Sequence, residues 1–270
     1  MKSLVSTSWL ERNLENVKIL DGSWHMPNSN RNALGEYEDG HIKNSFFFDI
    51  DKFSEQNTEL PHMLPSASYW KKVISNIGIK NSDHVIIYDN SDVISSCRVW
   101  YNFLYFGHDP NLVSVLDGGL KKWLNERKKI TKNQKTKIKT DYIVNENLNL
   151  VLNKKQIELN IEKKSFELID ARSEKRFLGL EPEPRKELKS GKIEGSKNVP
   201  FKKIINKDHS FKSKDEIKEI FETSKSDLKK DIAFTCGSGI TACVLGLANS
   251  IISGKSPIIY DGSWSEYGLK

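Results

Sequence analysis

The chain has 270 residues, a formal net charge of +6 and 37% hydrophobic residues, including 12 Phe and 6 Trp, which is enough apolar material for one large domain or two of ordinary size. No run approaches the roughly 18 uninterrupted apolar residues of a membrane span, and the opening Met1 to Trp9 lacks a signal peptide's apolar segment, so a soluble, cytoplasmic protein with no membrane partner is expected. Three cysteines without metal-ligand or C-x-x-C spacing argue against a disulfide scaffold and against zinc, and lysines spread along the chain rather than concentrated with aromatics argue against a nucleic-acid partner.

In chain order, Ser8 with Glu11 three residues later reads as a capping box for a first helix carrying Leu10, Leu14 and Val17. A short strand over Val17 to Leu20 ends in the turn signal Asp21-Gly-Ser-Trp24, and Asn28 to Gly40 is polar and loop-like. Ser45-Phe-Phe-Phe-Asp49-Ile-Asp51 is apolar until two carboxylates close it. A loop containing His62-Met-Leu-Pro65 leads to a helix over Ser68 to Ile77 and a strand over His84 to Tyr88, ended by Asp89. A helix from Ser95 to Phe106, a strand at Val113 to Leu116 and a short helix bearing Trp123 follow. Lys128 to Asn149 is rich in Lys and Asn and poor in large apolar residues, which reads as a connection over 131–149, with an edge strand at Ile138 and Tyr142 to Val144.

The pattern then begins again. Asn153 with Gln156 repeats the helix start, Phe166 to Asp170 repeats the strand ending at Asp21, and Gly191 to Phe201 is similar to the stretch from Gly40. Cys236 falls where Asp89 fell, and Asp261-Gly-Ser-Trp264 echoes Asp117-Gly-Gly. These pairs lie about 144 to 151 positions apart in one order, the mark of a duplicated unit. Strands alternating with helices in each half imply an α/β fold of two largely parallel sheets flanked by helices, with residues 1–130 as one domain and 150–270 as the other.

The chemistry concentrates at Ile232-Ala-Phe-Thr-Cys236-Gly-Ser-Gly-Ile-Thr-Ala242, a strand, a glycine-bearing loop and a helix start. Gly237 and Gly239 allow successive N–H groups to turn toward the sulfur, and a helix beginning near Ile240 adds its positive end; both favour the reactive thiolate. Cys236 is the candidate nucleophile, whereas Cys97 and Cys243 lack such a setting, and Cys243, seven positions on and inside the expected helix, reads as core. Because Asp89 cannot substitute for a thiolate, catalysis is expected in the second half and structure or access control in the first.

Cys236-Gly-Ser-Gly-Ile-Thr-Ala242 resembles the active loop of the rhodanese-fold sulfurtransferases, and of their tandem-domain 3-mercaptopyruvate branch in particular, since the thiosulfate branch carries basic residues directly after the cysteine. Further matches are Val5 to Trp9, Leu20 to Pro27, Phe48 to Asp51, His62 to Pro65 and Ile87 to Asn90 in the first half. Asp170 to Arg172, Arg176-Phe177, Glu181 to Arg185 and Tyr260 to Glu266 match in the second. The sequence departs from the pattern at Cys97, at Lys192 and in stopping soon after Gly268.

The resemblance implies an enzyme that takes sulfur from 3-mercaptopyruvate onto Cys236 as a persulfide and passes it to cyanide or to a thiol acceptor such as thioredoxin or a small thiol, with no metal and no cofactor. It implies catalytic roles for Ser238, His62 and Asp51 beside Cys236. Arg176 and Arg185 are implied to take the donor's carboxylate, with Gly237, Gly239, Ile240 and Thr241 also contributing to substrate binding. Guanidinium groups suit that task because they offer two parallel N–H bonds to a planar carboxylate. Arg98 and Arg172 read as structural ion-pair residues.

Two other readings compete. Transfer from thiosulfate to cyanide would use the same cysteine, although the neutral Gly237-Ser238 gives a doubly anionic donor no adjacent cation. A non-enzymatic persulfide carrier or interaction module is the other. Phosphatase chemistry is excluded, because the arginine it needs six positions after the cysteine is here Ala242.

Overall fold

The computed structural model describes residues 3–134, 136, 138–224 and 226–270. It divides into two compact units: one runs to Gln56 and takes in Leu64–Asn147 and Lys207–Ser210, the other comprises Asn57–Met63, Leu148–Asn206 and Phe211–Lys270.

The first unit contains β1 (Leu4–Val5), α1 (Thr7–Asn13), β2 (Lys18–Asp21), α2 (Ala33–Asp39), β3 (Ser45–Phe47), α3 (Ala67–Ile77), β4 (Val85–Tyr88), α4 (Ser96–Tyr105), β5 (Val113–Leu116) and α5 (Gly119–Asn125). Its strands lie in the order β1-β5-β4-β2-β3, and every pairing is parallel. Successive side chains of a strand point to opposite faces, so the all-apolar Val85-Ile-Ile-Tyr88 needs cover on both. Ile86 and Tyr88 pack with Leu10 of α1 and Leu120 and Trp123 of α5. Ile87 lies beside Val99 of α4 where Gly22 leaves room for both.

The second unit repeats the plan with β6 (Val151–Leu152), α6 (Lys154–Lys163), β7 (Glu167–Asp170), α7 (Glu174–Phe177), β8 (Lys197–Asn198), α8 (Lys214–Thr223), β9 (Ile232–Thr235), α9 (Ile240–Ser253), β10 (Ile258–Tyr260) and α10 (Ser263–Tyr267). Its order, β6-β10-β9-β7-β8, is the first unit's order shifted by one repeat, again with every pairing parallel. From β7 the chain goes outward to β8 and then returns on β7's other side as β9. The boundary between β7 and β9 is therefore the switch point, where parallel sheets place their ligands beyond the strands' C-terminal ends.

Several expected elements differ. The first helix is capped by Ser6, whose extended backbone lets its Oγ accept the N–H of Trp9 at 3.2 Å, while Ser8 already lies inside the helix. Part of the expected loop Asn28–Gly40 is α2, held by the Asn32 cap and one buried anchor, Tyr37, too few apolar residues to show a period. No strand forms at 138–144. Thr140 and Tyr142 bond there to Ser75 of α3, and Ile143 to Asn81, while Ile138 is exposed. The expected connection, as far as Asn147, thus groups with the first unit, with Tyr142 fully buried, while Leu148 and Asn149 group with the second; Lys135 and Lys137 fall outside the described residues. The capping box of Asn153 and Gln156 forms as read.

Candidate functional site

All four residues of β9 are buried, so this strand is a fixed platform. At its C-terminal end Cys236 to Gly239 turn the chain into α9. Gly239 takes a left-handed φ of 80°, which L side chains resist, and the first N–H groups of the helix are left without partners inside it. The start of α10 braces this loop through the main chain. Ser263 Oγ accepts the N–H of Cys236 at 3.3 Å, and the N–H groups of Trp264 and Ser265 donate to the carbonyls of Cys236 at 3.0 Å and Gly237 at 2.8 Å. Ser263 spends its own hydroxyl proton on the carbonyl of Tyr260, which fixes its acceptor side. Among the described residues, no carbonyl accepts from the N–H of Gly237 or Ser238. Those two donors and the helix start are what the loop offers to a charge on sulfur.

Cys236 is only 2% exposed, and Ile240, four positions on, is buried, while Gly237 and Thr241 are half-buried. Polar groups hold the loop that carries it: Ser263 Oγ and the N–H groups of Trp264 and Ser265 on its main chain, and a guanidinium against Gly237. His62 belongs to the segment Asn57–Met63, which groups with this unit, and its Nδ1 lies 2.9 Å from Ser238 Oγ in a buried contact. Its backbone is held at a left-handed φ of 62°. A non-glycine residue in that conformation carries strain that its surroundings must offset.

The guanidinium is that of Arg176, from α7. Its Nη2 lies 3.2 Å from the point where a Cβ on Gly237 would stand, so the absent side chain at 237 is what gives the arginine room. Behind it, Glu183 is wholly buried and binds two arginines, Arg176 through Nε (3.3 Å) and Nη2 (2.5 Å), and Arg172 through Nη1 (2.7 Å). Arg172 is fixed in turn by Asp170 (2.9 and 2.7 Å) and by the carbonyl of Gly191 (2.8 Å), and it stacks 4.3 Å from the centre of the Trp264 ring. Burial alone would lower the pKa of Arg172; Asp170 and Glu183 reverse this and raise it, so the charge is secure. Trp264 is the residue whose N–H holds the carbonyl of Cys236. The ion network and the nucleophile loop are thus one mechanical piece.

Cys236, Gly237, Ser238, Gly239, Ile240, Thr241, His62 and Arg176 therefore come together in the second unit. Arg185 is half-buried in a turn closed by the N–H of Leu188 on its carbonyl. Asp51 belongs to the first unit, where Trp24 Nε1 donates to its Oδ2 at 2.9 Å. Reading the sequence missed Glu183, which passed for part of the approach to Arg185, and the bracing role of Ser263 and Ser265. Arg172 has the structural ion pairs expected of it, while Arg98 is buried with its guanidinium 5.5 Å from the Tyr101 ring.

The first unit places a carboxylate at the matching strand end, ahead of a longer loop that reaches α4 at Ser96. Asp89, one residue past β4 as Cys236 is one past β9, accepts the N–H groups of Ser91 (2.8 Å) and Ser96 (2.9 Å) on its two oxygens. Burial nevertheless pushes Asp89 above the usual carboxylate range, against the pull of Ser96 and Ser91.

A family profile for the rhodanese-like domain matches residues 6–126 and 153–270. The chain is 37% identical over 278 residues to the 3-mercaptopyruvate sulfurtransferase of Mus musculus, a match covering 100% of this chain and 93% of that one. It is also 37% identical over 275 residues to the thiosulfate sulfurtransferase of Mus musculus, covering 98% and 92%. Among solved structures it is similar to SseA from Escherichia coli, whose structure was described for the rhodanese fold and mechanism of 3-mercaptopyruvate sulfotransferases. That likeness has a TM-score of 0.88 and 30% identity, and covers 98% of this chain and 100% of that one. Among the described residues, no helix is long and apolar enough to cross a membrane.

Proposed function

The chain belongs to the rhodanese-like domain family, and on that premise we propose that it is a sulfurtransferase that takes sulfur from 3-mercaptopyruvate, carries it as a persulfide on Cys236 and passes it to a thiol or to cyanide. The observation that carries this reading is the placement of Cys236, at the switch point of a parallel sheet, beside a helix start and two loop N–H groups that no carbonyl claims among the described residues, with an arginine against the next residue.

In the first half-reaction the Cys236 thiolate attacks the donor's sulfur. A sulfur–sulfur bond forms, the donor's carbon–sulfur bond breaks, and its electron pair leaves on carbon as the enolate of pyruvate, which then takes a proton. The loop N–H groups and the start of α9 face negative charge on the cysteine sulfur before the attack and on the persulfide after it, which is how fixed dipoles favour such a step. Ser238 and His62, 2.9 Å apart, form the proton relay to the enolate, with Asp51 assigned to the same relay. Arg176 and Arg185 receive the carboxylate. In the second half-reaction an acceptor nucleophile attacks the outer sulfur and Cys236 leaves as thiolate. Thioredoxin or a small thiol is the acceptor of choice, in a cytoplasm that keeps such thiols reduced. Residues 1–130 then form the non-catalytic domain, 131–149 the connection and 150–270 the catalytic domain.

The equal identity to a thiosulfate sulfurtransferase supports a second reading, the same Cys236 chemistry with thiosulfate as donor. One assay separates them. Purified protein with a thiol acceptor is expected to release pyruvate from 3-mercaptopyruvate, faster than it consumes thiosulfate, and Cys236→Ser is expected to release none. Faster turnover of thiosulfate would move the assignment to the second reading; no turnover of either donor would leave only a carrier role.

A further inference from the structure

We infer that Glu183 is a positioning residue for this transfer, holding Arg176 side-on so that one chosen edge of its guanidinium is left for the donor's carboxylate. The inference rests on the donor assignment above and adds the group that makes Arg176 selective.

An arginine on a short exposed helix is normally a poor recognition element, because its long side chain spreads over many rotamers. Arg176 is not in that condition. Its Nε and Nη2 are engaged by Glu183, and Glu183 cannot swing, since its side chain is wholly buried and tied to Arg172. Arg172 is anchored by Asp170 and Gly191 in a fully buried position. The chain of contacts Asp170–Arg172–Glu183–Arg176 thus ends at a guanidinium with one edge consumed. Its Nη1 N–H groups have no partner among the described residues, and the side chain is 22% exposed. The Nη2 atom at the corner lies against Gly237, the residue after the nucleophile. The four charges of the chain balance, two carboxylates against two guanidinium groups. What remains for a donor is therefore directed N–H groups rather than a net positive field, which suits a planar carboxylate better than a tetrahedral dianion.

The first unit provides an internal comparison. Glu36 and Glu183, His25 and Arg172, and Asn90 and Gly237 all stand at the single offset that separates Asp89 from Cys236. Glu36 grips Arg31 at 2.8 and 2.7 Å, takes His25 Nε2 at 3.2 Å and accepts from Asn90 Nδ2 at 2.8 Å, so the same clamp reaches the same loop residue. There, where no nucleophile exists, the arginine is used up: Arg31 also donates to the carbonyl of Asn90 at 2.9 Å and to Asp92 at 3.5 Å. In the second unit the loop residue has lost its side chain and the arginine's outer edge has been left open. A carboxylate clamp kept in both halves but opened only beside the cysteine is what a binding role for Arg176 requires.

The test uses the full chain with 3-mercaptopyruvate, thiosulfate and cyanide as probes. Glu183→Gln keeps the side chain's shape and removes its charge. The expected result is a KM for 3-mercaptopyruvate about 10-fold or more above wild type with kcat within about threefold, a KM for thiosulfate changed less than about threefold, and discharge of a preformed Cys236 persulfide by cyanide slowed less than about twofold. A merely structural role would slow both half-reactions together, and that outcome would overturn the inference, as would an unchanged KM. Arg176→Gln alone and together with Glu183→Gln supply the second comparison, since the double variant keeps Asp170 and Arg172 in charge balance if the single variant fails to fold. The double variant is expected to match Arg176→Gln within about threefold; a further multiplicative loss would show that Glu183 does not act through Arg176. Wild type that makes no pyruvate would overturn the donor assignment and this inference together, whereas normal wild-type turnover with an unaffected Glu183→Gln overturns this inference alone.

Discussion

Replacing Arg172 with Met keeps a long side chain beneath the Trp264 ring and removes the one cation shared by Asp170 and Glu183. The wild-type guanidinium is fully buried and donates through Nε to Asp170 at 3.2 and 2.9 Å, through Nη2 to Asp170 and Gly191 at 2.7 and 2.8 Å, and through Nη1 to Glu183 at 2.7 Å. In the variant Glu183 still has Arg176, but the buried carboxylate of Asp170 loses its counter-ion and keeps the backbone N–H at 172. Breaking one partner out of a buried ion pair costs about 3–5 kcal/mol, and the ring contact at 4.3 Å adds to it, so a loss of about 4 kcal/mol is expected. With a urea slope of roughly 2 kcal/mol per molar, the midpoint of the affected transition should fall by about 2 M. Asp170→Asn combined with Arg172→Met removes the orphaned charge and should restore about half of the loss. A urea midpoint within about 0.5 M of wild type for the single variant, equivalent to roughly 1 kcal/mol, would refute the view that this network braces the loop.

Three further outcomes follow from the geometry. Gly239→Ala forces an L side chain into a left-handed φ of 80° and should cost about 1–2 kcal/mol while re-aiming the loop, so persulfide formation should slow along with the fall in stability; an alanine variant as stable and as fast as wild type would contradict this. His62→Ala should slow pyruvate formation by about 100-fold or more, whereas a fall of less than about threefold would take His62 out of the relay. Burial lifts Asp21 from 3.8 to about 6, so between those values the folded chain holds a proton that the unfolded chain has released, and stability falls as pH rises from about 4 to about 6. The full swing is about 3 kcal/mol. Asp21→Asn, which can still accept the N–H of Ser23, should therefore gain on wild type across that interval, and parallel stability curves would disprove the assignment.

The duplicated plan was readable because it is written where each strand stops. Asp21, Asp89, Asp170 and Cys236 end their strands in both reading and structure, and the buried strands between them are continuous apolar runs with no other plausible role. Elements held by one or two anchors were harder. α2 rests on Tyr37, and α8, with a Ser213 and Glu216 capping box and Ile217 and Phe221 buried four apart, has no counterpart in the sequence reading. Ser6 is the cap although only Ser8 has a glutamate three residues on, because the extended backbone falls at Ser6 and Ser8 already lies inside the helix.

The candidate site divides along the same line. Cys236, Gly237 and Gly239 are legible because a strand, a flexible loop and a helix start succeed one another within ten residues. The contact of His62 with Ser238 spans 176 positions and was available only through family resemblance. Glu183 was available from the chain itself, since Glu36 stands at the matching position of the first half, but its meaning depended on knowing that both carboxylates hold an arginine against the loop. Arg172 and Arg176 sit four apart, yet one is sealed within the unit and the other opens outward, a difference that periodicity over a four-residue helix cannot register.

The most direct measurement of the central claim is the mass of the peptide containing Cys236 after the purified chain has met 3-mercaptopyruvate without acceptor. The account predicts a gain of about 32 Da on Cys236, lost on addition of cyanide and absent from Cys236→Ser. An unmodified Cys236, or the added sulfur found instead on Cys97 or Cys243, would contradict it.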